Sequence, residues 1–294
     1  AGGAGRGAQY RRLPLSEARD ILQKRPNLGF SPVRLVPKAS TVRAIANLGK
    51  PSLARFPARK AQGRRPARLA MNLSFPPVNH SLRPVFLALK HDVDARPHLL
   101  GASVSSYNDI YARLQPYLRR WRAVASDRAG SRGLPPPLPF VVSVDISKAF
   151  DSMPIERVAE VAEGLLANSE YLVVKWGEAL PAFGSVRGVY RQAAFCPPSD
   201  YPGFPVFADQ RVAPRRRHTV ISDAVQYTTL RRDTALRSLR HHLRGNLIKI
   251  GKHFYAQSRG IAQGSVMSTL LCTAFYGHLE RAELADLLPP EEEG

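Results

Sequence analysis

The chain has 294 residues, of which 44% are hydrophobic, so it is long enough for one large or two modest globular domains. Lys and Arg total 43 against 23 Asp and Glu, which gives a formal net charge of +20 at pH 7. A charge of this size indicates a polyanionic partner, nucleic acid before membrane. The two cysteines, Cys196 and Cys272, predict neither a disulfide framework nor a metal site, and no apolar run is long enough to span a bilayer.

Two elements are predicted near the start of the chain. Residues 16–24 favour a short helix, with Ser16 as its N-cap and Pro26 just beyond its end. Two apolar runs follow at 33–36 and 41–48, close enough to pair as a β-hairpin. Because their junction lacks the residues of a tight primed turn, we expect a longer or irregular loop.

Positive charge is concentrated in the first third of the chain. No acidic residue stands between Asp20 and Asp92, while Arg and Lys recur throughout and are densest over residues 55–68. Charge of one sign repels itself unless phosphates neutralise it, so this stretch predicts a nucleic-acid contact. The alternative is a Pro-rich disordered insertion.

A longer helix is predicted from residue 103 to about residue 125, with a kink at Pro116. Its apolar residues recur at helical spacing, and we interpret them as core-facing rather than as a platform for stacking bases. The basic residues near its end could touch a nucleic-acid backbone. The apolar stripe consists of Tyr107, Ile110, Tyr111, Leu114, Leu118 and Trp121.

The run from Phe140 to Ile146 predicts a buried strand, because its apolar residues are aromatic or β-branched and a Pro-rich loop precedes them. Near its end stands Asp145. A carboxylate among apolar side chains must be hydrogen-bonded, paired with a cation or bound to a metal. The strand alone leaves two interpretations open, a metal ligand or an Asp satisfied by turn amides. A helix is predicted next, with Ser152 as its N-cap and an early Pro154.

The stretch after that helix is loosely patterned. Proline and arginine clusters between residues 197 and 217 indicate loops, and residues 223–244 are predicted to be helical. His241 and His242 are expected on a basic helix face rather than at a metal, because no second pair of ligands stands nearby.

The last predicted elements surround a glycine-rich loop. Residues 249–256 predict two strands about a glycine turn. Gly260 and Gly264 permit close backbone approach, and Ser265 is expected to cap a helix over 266–287. On this stretch alone, a simple turn before a core helix is the first interpretation.

Two separated segments resemble reverse transcriptase motifs. Asp145–Asp151, DISKAFD, resembles motif A of reverse transcriptases, and Arg259–Cys272, RGIAQGSVMSTLLC, resembles motif B′ of telomerase reverse transcriptases. Upstream, VRLVPK at 33–38 and VRAIAN at 42–47 resemble motifs 1 and 2, in the family order. LLGASV at 99–104 resembles a telomerase stretch between motifs 2 and A.

The spacing of these motifs also resembles telomerase. Gln263 follows Asp145 by 118 residues, far more than retroviral enzymes place there, and in the telomerase family that gap holds an insertion in the fingers. Ala262 stands where the family has a proline. The resemblance runs from about Tyr10 to about Leu288.

The resemblance implies an RNA-directed DNA polymerase that uses two Mg²⁺ ions. Asp145, as the catalytic carboxylate, and the backbone carbonyl of Ile146 are implied metal ligands. Lys38 and Arg43 are implied to bind nucleotide phosphates. Other nucleotide-pocket roles are implied for Phe150, which would screen the 2′ position, and for Gln263 and Gly264.

The implied fold class is α+β, a right-hand polymerase fragment of fingers and palm with an incomplete antiparallel palm sheet that carries Asp145. We expect fingers with the motif 1/2 hairpin and a basic insertion over 1–135, palm with motif A over 136–175, the insertion in fingers over 176–245, and palm with the motif B′ helix over 246–294. The family's motif C, with its Asp-Asp pair, is not in the chain, so we expect this piece alone to be inactive.

The resemblance further implies partners and a location. These are telomerase RNA, the telomeric single-stranded DNA 3′ end and dNTPs, with no membrane, in the nucleus at chromosome telomeres. The function would be addition of telomeric repeats. Alternatives are a retroelement or group II intron reverse transcriptase, and a non-catalytic basic RNA-binding module.

Overall fold

The computed structural model describes residues 9–25, 27–37, 42–56, 71–104, 106–132, 135, 137–140, 142–182, 184–212 and 218–283. Its helices are α1 (Leu15–Gln23), α2 (Val78–Asp94), α3 (Tyr107–Arg132), α4 (Ala149–Ser152), α5 (Ile155–Leu165), α6 (Phe204–Phe207), α7 (Arg232–Gly245) and α8 (Ser268–Glu283). Its strands are β1 (Tyr10–Leu13), β2 (Ser31–Pro37), β3 (Val42–Ala46), β4 (Ser52–Phe56), β5 (Met71–Phe75), β6 (Glu170–Ala182), β7 (Ser185–Phe195), β8 (Val220–Arg231), β9 (Leu247–Ile250) and β10 (His253–Gln257). The mixture confirms the α+β prediction at that coarse level.

The described strands form three separate sheets. One has the order β1-β10-β9-β2-β3, and only its β2–β9 pair is parallel. The hairpin of β4 and β5 forms the second sheet, and the third has the order β7-β6-β8 with antiparallel pairs throughout. The first sheet therefore unites the start of the chain with the strands just before the glycine-rich loop.

The main core lies where α2, α5, α7 and α8 meet. Each of these helices contributes an apolar stripe, which burial removes from water. The fully buried side chains in this core include Leu82, Leu89, Met153, Leu239 and Leu271. Two smaller cores lie elsewhere, one against α1 and one between β6 and α6. No helix in the described part of the chain combines the length and apolar character needed to cross a membrane.

A buried carboxylate ties α2 to the connection between α5 and β6. Asp92 is 2% exposed and accepts hydrogen bonds from the Tyr171 hydroxyl, from Asn168 Nδ2 at 2.8 Å, from the Ala167 amide at 2.8 Å and from His91 Nδ1 at 3.2 Å. Burial by itself would raise the pKa of Asp92, but these donors outweigh it and hold the pKa below its usual range. The network fixes the start of the third sheet against the main core.

Several local predictions are confirmed. The first helix exists as α1, although Pro14 rather than Ser16 precedes it as N-cap. The predicted hairpin is β2 paired antiparallel with β3. The two strands about a glycine turn are β9 and β10, joined at Gly251, which has a positive φ of 58°. The helix after motif A is α5, which begins after Pro154 with no side-chain cap.

The strand predicted at residues 140–146 is wrong. Residues 142–146 have no regular structure, and the exposed fractions of Phe140, Val142 and Val144 are 88%, 81% and 86%. Asp145 is therefore not carried by a sheet, contrary to our expectation of a palm strand. A strand is stable only when neighbouring strands satisfy its backbone groups, and none of the described strands pairs with this segment.

Three further expectations are wrong. The first part of the predicted 223–244 helix belongs instead to strand β8, which pairs with the distant strand β6, and only the second part is helical, as α7. The apolar stripe of α3 is exposed rather than core-facing, with Tyr107 at 90% and Tyr111 at 63%. His242 is buried at 2% instead of lying on a solvated face.

Candidate active site

A tight turn presents the end of motif A. Lys148 adopts the left-handed conformation with φ of 54°, and its carbonyl accepts hydrogen bonds from the amides of Asp151 at 2.9 Å and Ser152 at 3.0 Å. The Ser152 hydroxyl donates to the Ala149 carbonyl at 3.1 Å. Met153, 1% exposed, anchors the turn in the main core. The short helix α4 is therefore held at both ends.

The glycine-rich loop of motif B′ packs directly against this turn. The Ile261 amide donates to the Phe150 carbonyl at 2.8 Å, and the Gly260 amide donates to the Met153 carbonyl at 3.2 Å. Gly260 has φ of 73°, and a Cβ atom there would stand 2.7 Å from the Cα of Asp151 and closer still to the Phe150 carbonyl oxygen. Only glycine permits both the conformation and the approach.

Side chains complete this junction through Asp151. Asp151 Oδ1 accepts a hydrogen bond from Gln9 Nε2 at 2.8 Å and another from Gln263 Nε2 at 3.4 Å. Burial and, secondarily, the charge of Asp151 raise the pKa of Tyr10. One carboxylate therefore joins the start of the chain, motif A and motif B′.

The opposite side of the loop is held by α2. Asn79 Nδ2 donates to the Gly264 carbonyl at 2.9 Å, and Asn79 Oδ1 accepts from the Val266 amide at 2.9 Å. Gly264 has φ of 88° and faces the carbonyl of Ala46, at the end of β3. Ser265 precedes α8, which begins at Ser268, two residues later than expected.

The predicted site residues are only partly brought together. Phe150, Gln263 and Gly264 lie at the junction, where Phe150 is half-buried and packs against the main core. Asp145 and Ile146 lie on the exposed segment that precedes the turn. Lys38 lies outside the described residues. Of Arg43, the structure gives the backbone, which is in β3 opposite Val36.

The described residues do not by themselves make a metal centre. They contain no group of three or more His, Cys, Asp and Glu side chains placed to hold an ion. Asp145 offers one carboxylate on an exposed segment, whereas Mg²⁺ is held through carboxylates together with substrate phosphates. Asp145 can therefore serve as one ligand of such an ion, and further ligands are needed to hold it.

Sequence reasoning missed Gln9, Asn79 and Asp151. Asp151 lies within the segment that resembles motif A, and its place in that motif was a usable signal. Gln9 and Asn79 carried no signal, because their partners lie 142 and 185 residues away along the chain.

Comparison with known proteins relates the chain to one group. No family model matches it. The chain is 34% identical over 280 residues to the telomerase reverse transcriptase of Bos taurus. The matched region covers 92% of this chain and 23% of that protein. The telomerase reverse transcriptase of Canis lupus familiaris is 28% identical over 92% of the chain and 23% of its own length. That of Arabidopsis thaliana is 30% identical over 76% of the chain and 18% of its own length. The chain thus spans less than a quarter of the length of the curated relatives it matches. It is a relative of telomerase reverse transcriptases and corresponds to one segment of them.

Proposed function

We propose that this chain is the part of a telomerase catalytic subunit that contains motifs 1, 2, A and B′, and that the complete protein adds telomeric repeats by RNA-templated DNA synthesis. The observation that carries the proposal is the packing of the motif A turn on the motif B′ loop. These segments lie more than a hundred residues apart and meet through glycine-dependent backbone contacts. The similarity to telomerase reverse transcriptases over most of the chain supports it.

In this proposal, Asp145 and the Ile146 carbonyl each contribute one ligand to catalytic Mg²⁺, which would activate the primer hydroxyl and stabilise the leaving pyrophosphate. The other ligands come from residues that the described chain does not supply. Asp145 has the exposure needed to reach a nucleic-acid substrate.

The nucleotide itself is assigned to the junction and the nearby hairpin. Lys38 and Arg43 bind its phosphates, because two cations can converge on one anion. The backbone of Arg43 lies in β3, which pairs with β2. Phe150 screens the 2′ position, while Gln263 and Gly264 shape the pocket. Gly264 faces the end of β3, which supports a common pocket for the hairpin and the loop.

The proposed domains follow from the motifs. Fingers occupy 1–135, the palm segments occupy 136–175 and 246–294, and the insertion lies between them. The insertion therefore covers 176–245. Telomerase RNA, the telomeric DNA 3′ end and dNTPs are the proposed partners, at nuclear telomeres, and the net charge of +20 suits such polyanions.

Primer extension tests the proposal in the full-length protein that contains this segment, assembled with its RNA. Asp145→Ala is expected to reduce extension about a hundredfold or more, because a metal-linked carboxylate is lost. Asp94→Ala, which removes an exposed carboxylate paired with Lys90, is the control and should leave extension unchanged. If the complex binds RNA but extends primers equally well without Asp145, the chain is a non-catalytic RNA-binding module instead.

A further inference from the structure

We propose that Asp151 is a positioning residue that sets the orientation of the Gln263 side-chain amide. The inference rests on the proposed function, in which Gln263 contacts the nucleotide or the template. An ionised carboxylate only accepts hydrogen bonds, so the atom of Gln263 that faces it is the amide nitrogen. The contact with Asp151 thus places the amide oxygen on the other side of the amide group.

Asp151 is itself immobilised by its backbone. Its amide donates to the Lys148 carbonyl at 2.9 Å, and the neighbouring Phe150 carbonyl accepts from Ile261 at 2.8 Å. The backbone of Asp151 also forms the surface on which Gly260 packs. Its carboxylate therefore sits at a fixed place relative to the loop that carries Gln263.

Gln9 fixes the orientation of the same carboxylate. It donates to Asp151 Oδ1 at 2.8 Å, the shorter of the two side-chain hydrogen bonds to this oxygen. The carbonyl of Gln9 accepts from the Ser258 amide at 2.9 Å and from the Ser258 hydroxyl at 3.1 Å. Because Ser258 leads into the loop that carries Gln263, the contacts close a ring from the loop to Gln9, to Asp151 and back to the loop.

The ring predicts a specific kinetic effect. Without a carboxylate, the Gln263 amide loses the charged acceptor that holds its nitrogen at this position, so its donor and acceptor faces are less firmly fixed. A contact made equally in the ground state and in the transition state affects KM more than kcat. Asp151→Ala is therefore expected to raise the KM for dNTPs about tenfold with a smaller change in kcat.

A double-mutant cycle tests the inference in the full-length protein assembled with its RNA. Asp151→Ala, Gln263→Ala and the double variant are compared by steady-state primer extension. If Asp151 acts through Gln263, the double variant should be no worse than the poorer single variant. Asp151→Asn keeps an acceptor atom at the same place, so its KM for dNTPs should lie between those of the unaltered protein and Asp151→Ala. If the alanine variant fails to assemble, the asparagine variant provides the measurement.

Asp94→Ala, a carboxylate removal distant from motif A, is the matched control and should leave KM unchanged. Additive effects of Asp151→Ala and Gln263→Ala, or a loss of kcat with unchanged KM in both Asp151 variants, overturn the positioning role.

Asp145→Ala is measured in the same series. Extension that does not depend on Asp145 overturns the proposed function and this inference with it, whereas Asp145-dependent extension with additive effects overturns the inference alone.

Discussion

At the scale of single residues, His242 links stability to pH. It is 2% exposed within α7, and burial lowers its pKa to about 4. The unfolded chain takes up that proton near pH 6.5, so the stability from the neutral ring is complete above this pH and decreases as the pH falls toward 4. The loss should reach about 3 kcal/mol. Urea unfolding of the chain at pH 7 and pH 4.5 should show it.

A matched pair of variants separates this effect from general acid sensitivity. His242→Leu should remove most of the difference between the two pH values, because the new side chain is apolar and does not titrate. His98→Gln, which removes an exposed histidine, should keep the difference. An unchanged pH dependence in His242→Leu would show that other groups cause it, with the Asp92 network the next candidate at lower pH.

At the scale of elements, the junction depends on the glycine at the start of the motif B′ loop. Gly260→Ala should lower the free energy of unfolding by about 2 kcal/mol or more, because its Cβ collides with the motif A turn and its φ is positive. In the full-length complex it should also weaken primer extension by displacing Gln263. Differential scanning calorimetry and extension assays measure the two effects.

Gly130→Ala is the natural comparison for that variant. Gly130 lies within α3, and a Cβ atom there would meet no other atom within 4 Å. Alanine favours the helix by about 0.5 to 1 kcal/mol relative to glycine, so this variant should be neutral or stabilising. Equal destabilisation by both substitutions would contradict the role assigned to the close contact at Gly260.

The elements also show what sequence reasoning can reach. α5 and the turn at Gly251 were predictable, because a proline and a glycine mark them locally. β8 and the 142–146 segment were not, since a strand depends on partners that local patterns do not reveal. The resemblance to motifs A and B′ located both halves of the junction, the turn and the glycine-rich loop. Its link through Gln9 was out of reach, because that contact spans 142 residues.

At the scale of the whole molecule, the charge of +20 predicts binding of single-stranded nucleic acid that is mainly electrostatic. The logarithm of the affinity should fall with the logarithm of salt concentration by roughly 0.7 per phosphate neutralised. Arg119 and Arg122 lie exposed on α3, so replacing both with alanine should reduce the slope by about 1.4 if each meets one phosphate. Arg11→Ala is the control, because Glu17 already pairs with that guanidinium at 2.6 Å. Fluorescence anisotropy over a salt series measures the slopes, and a nearly flat plot for the unaltered chain would contradict electrostatic binding, whatever the two arginines contribute.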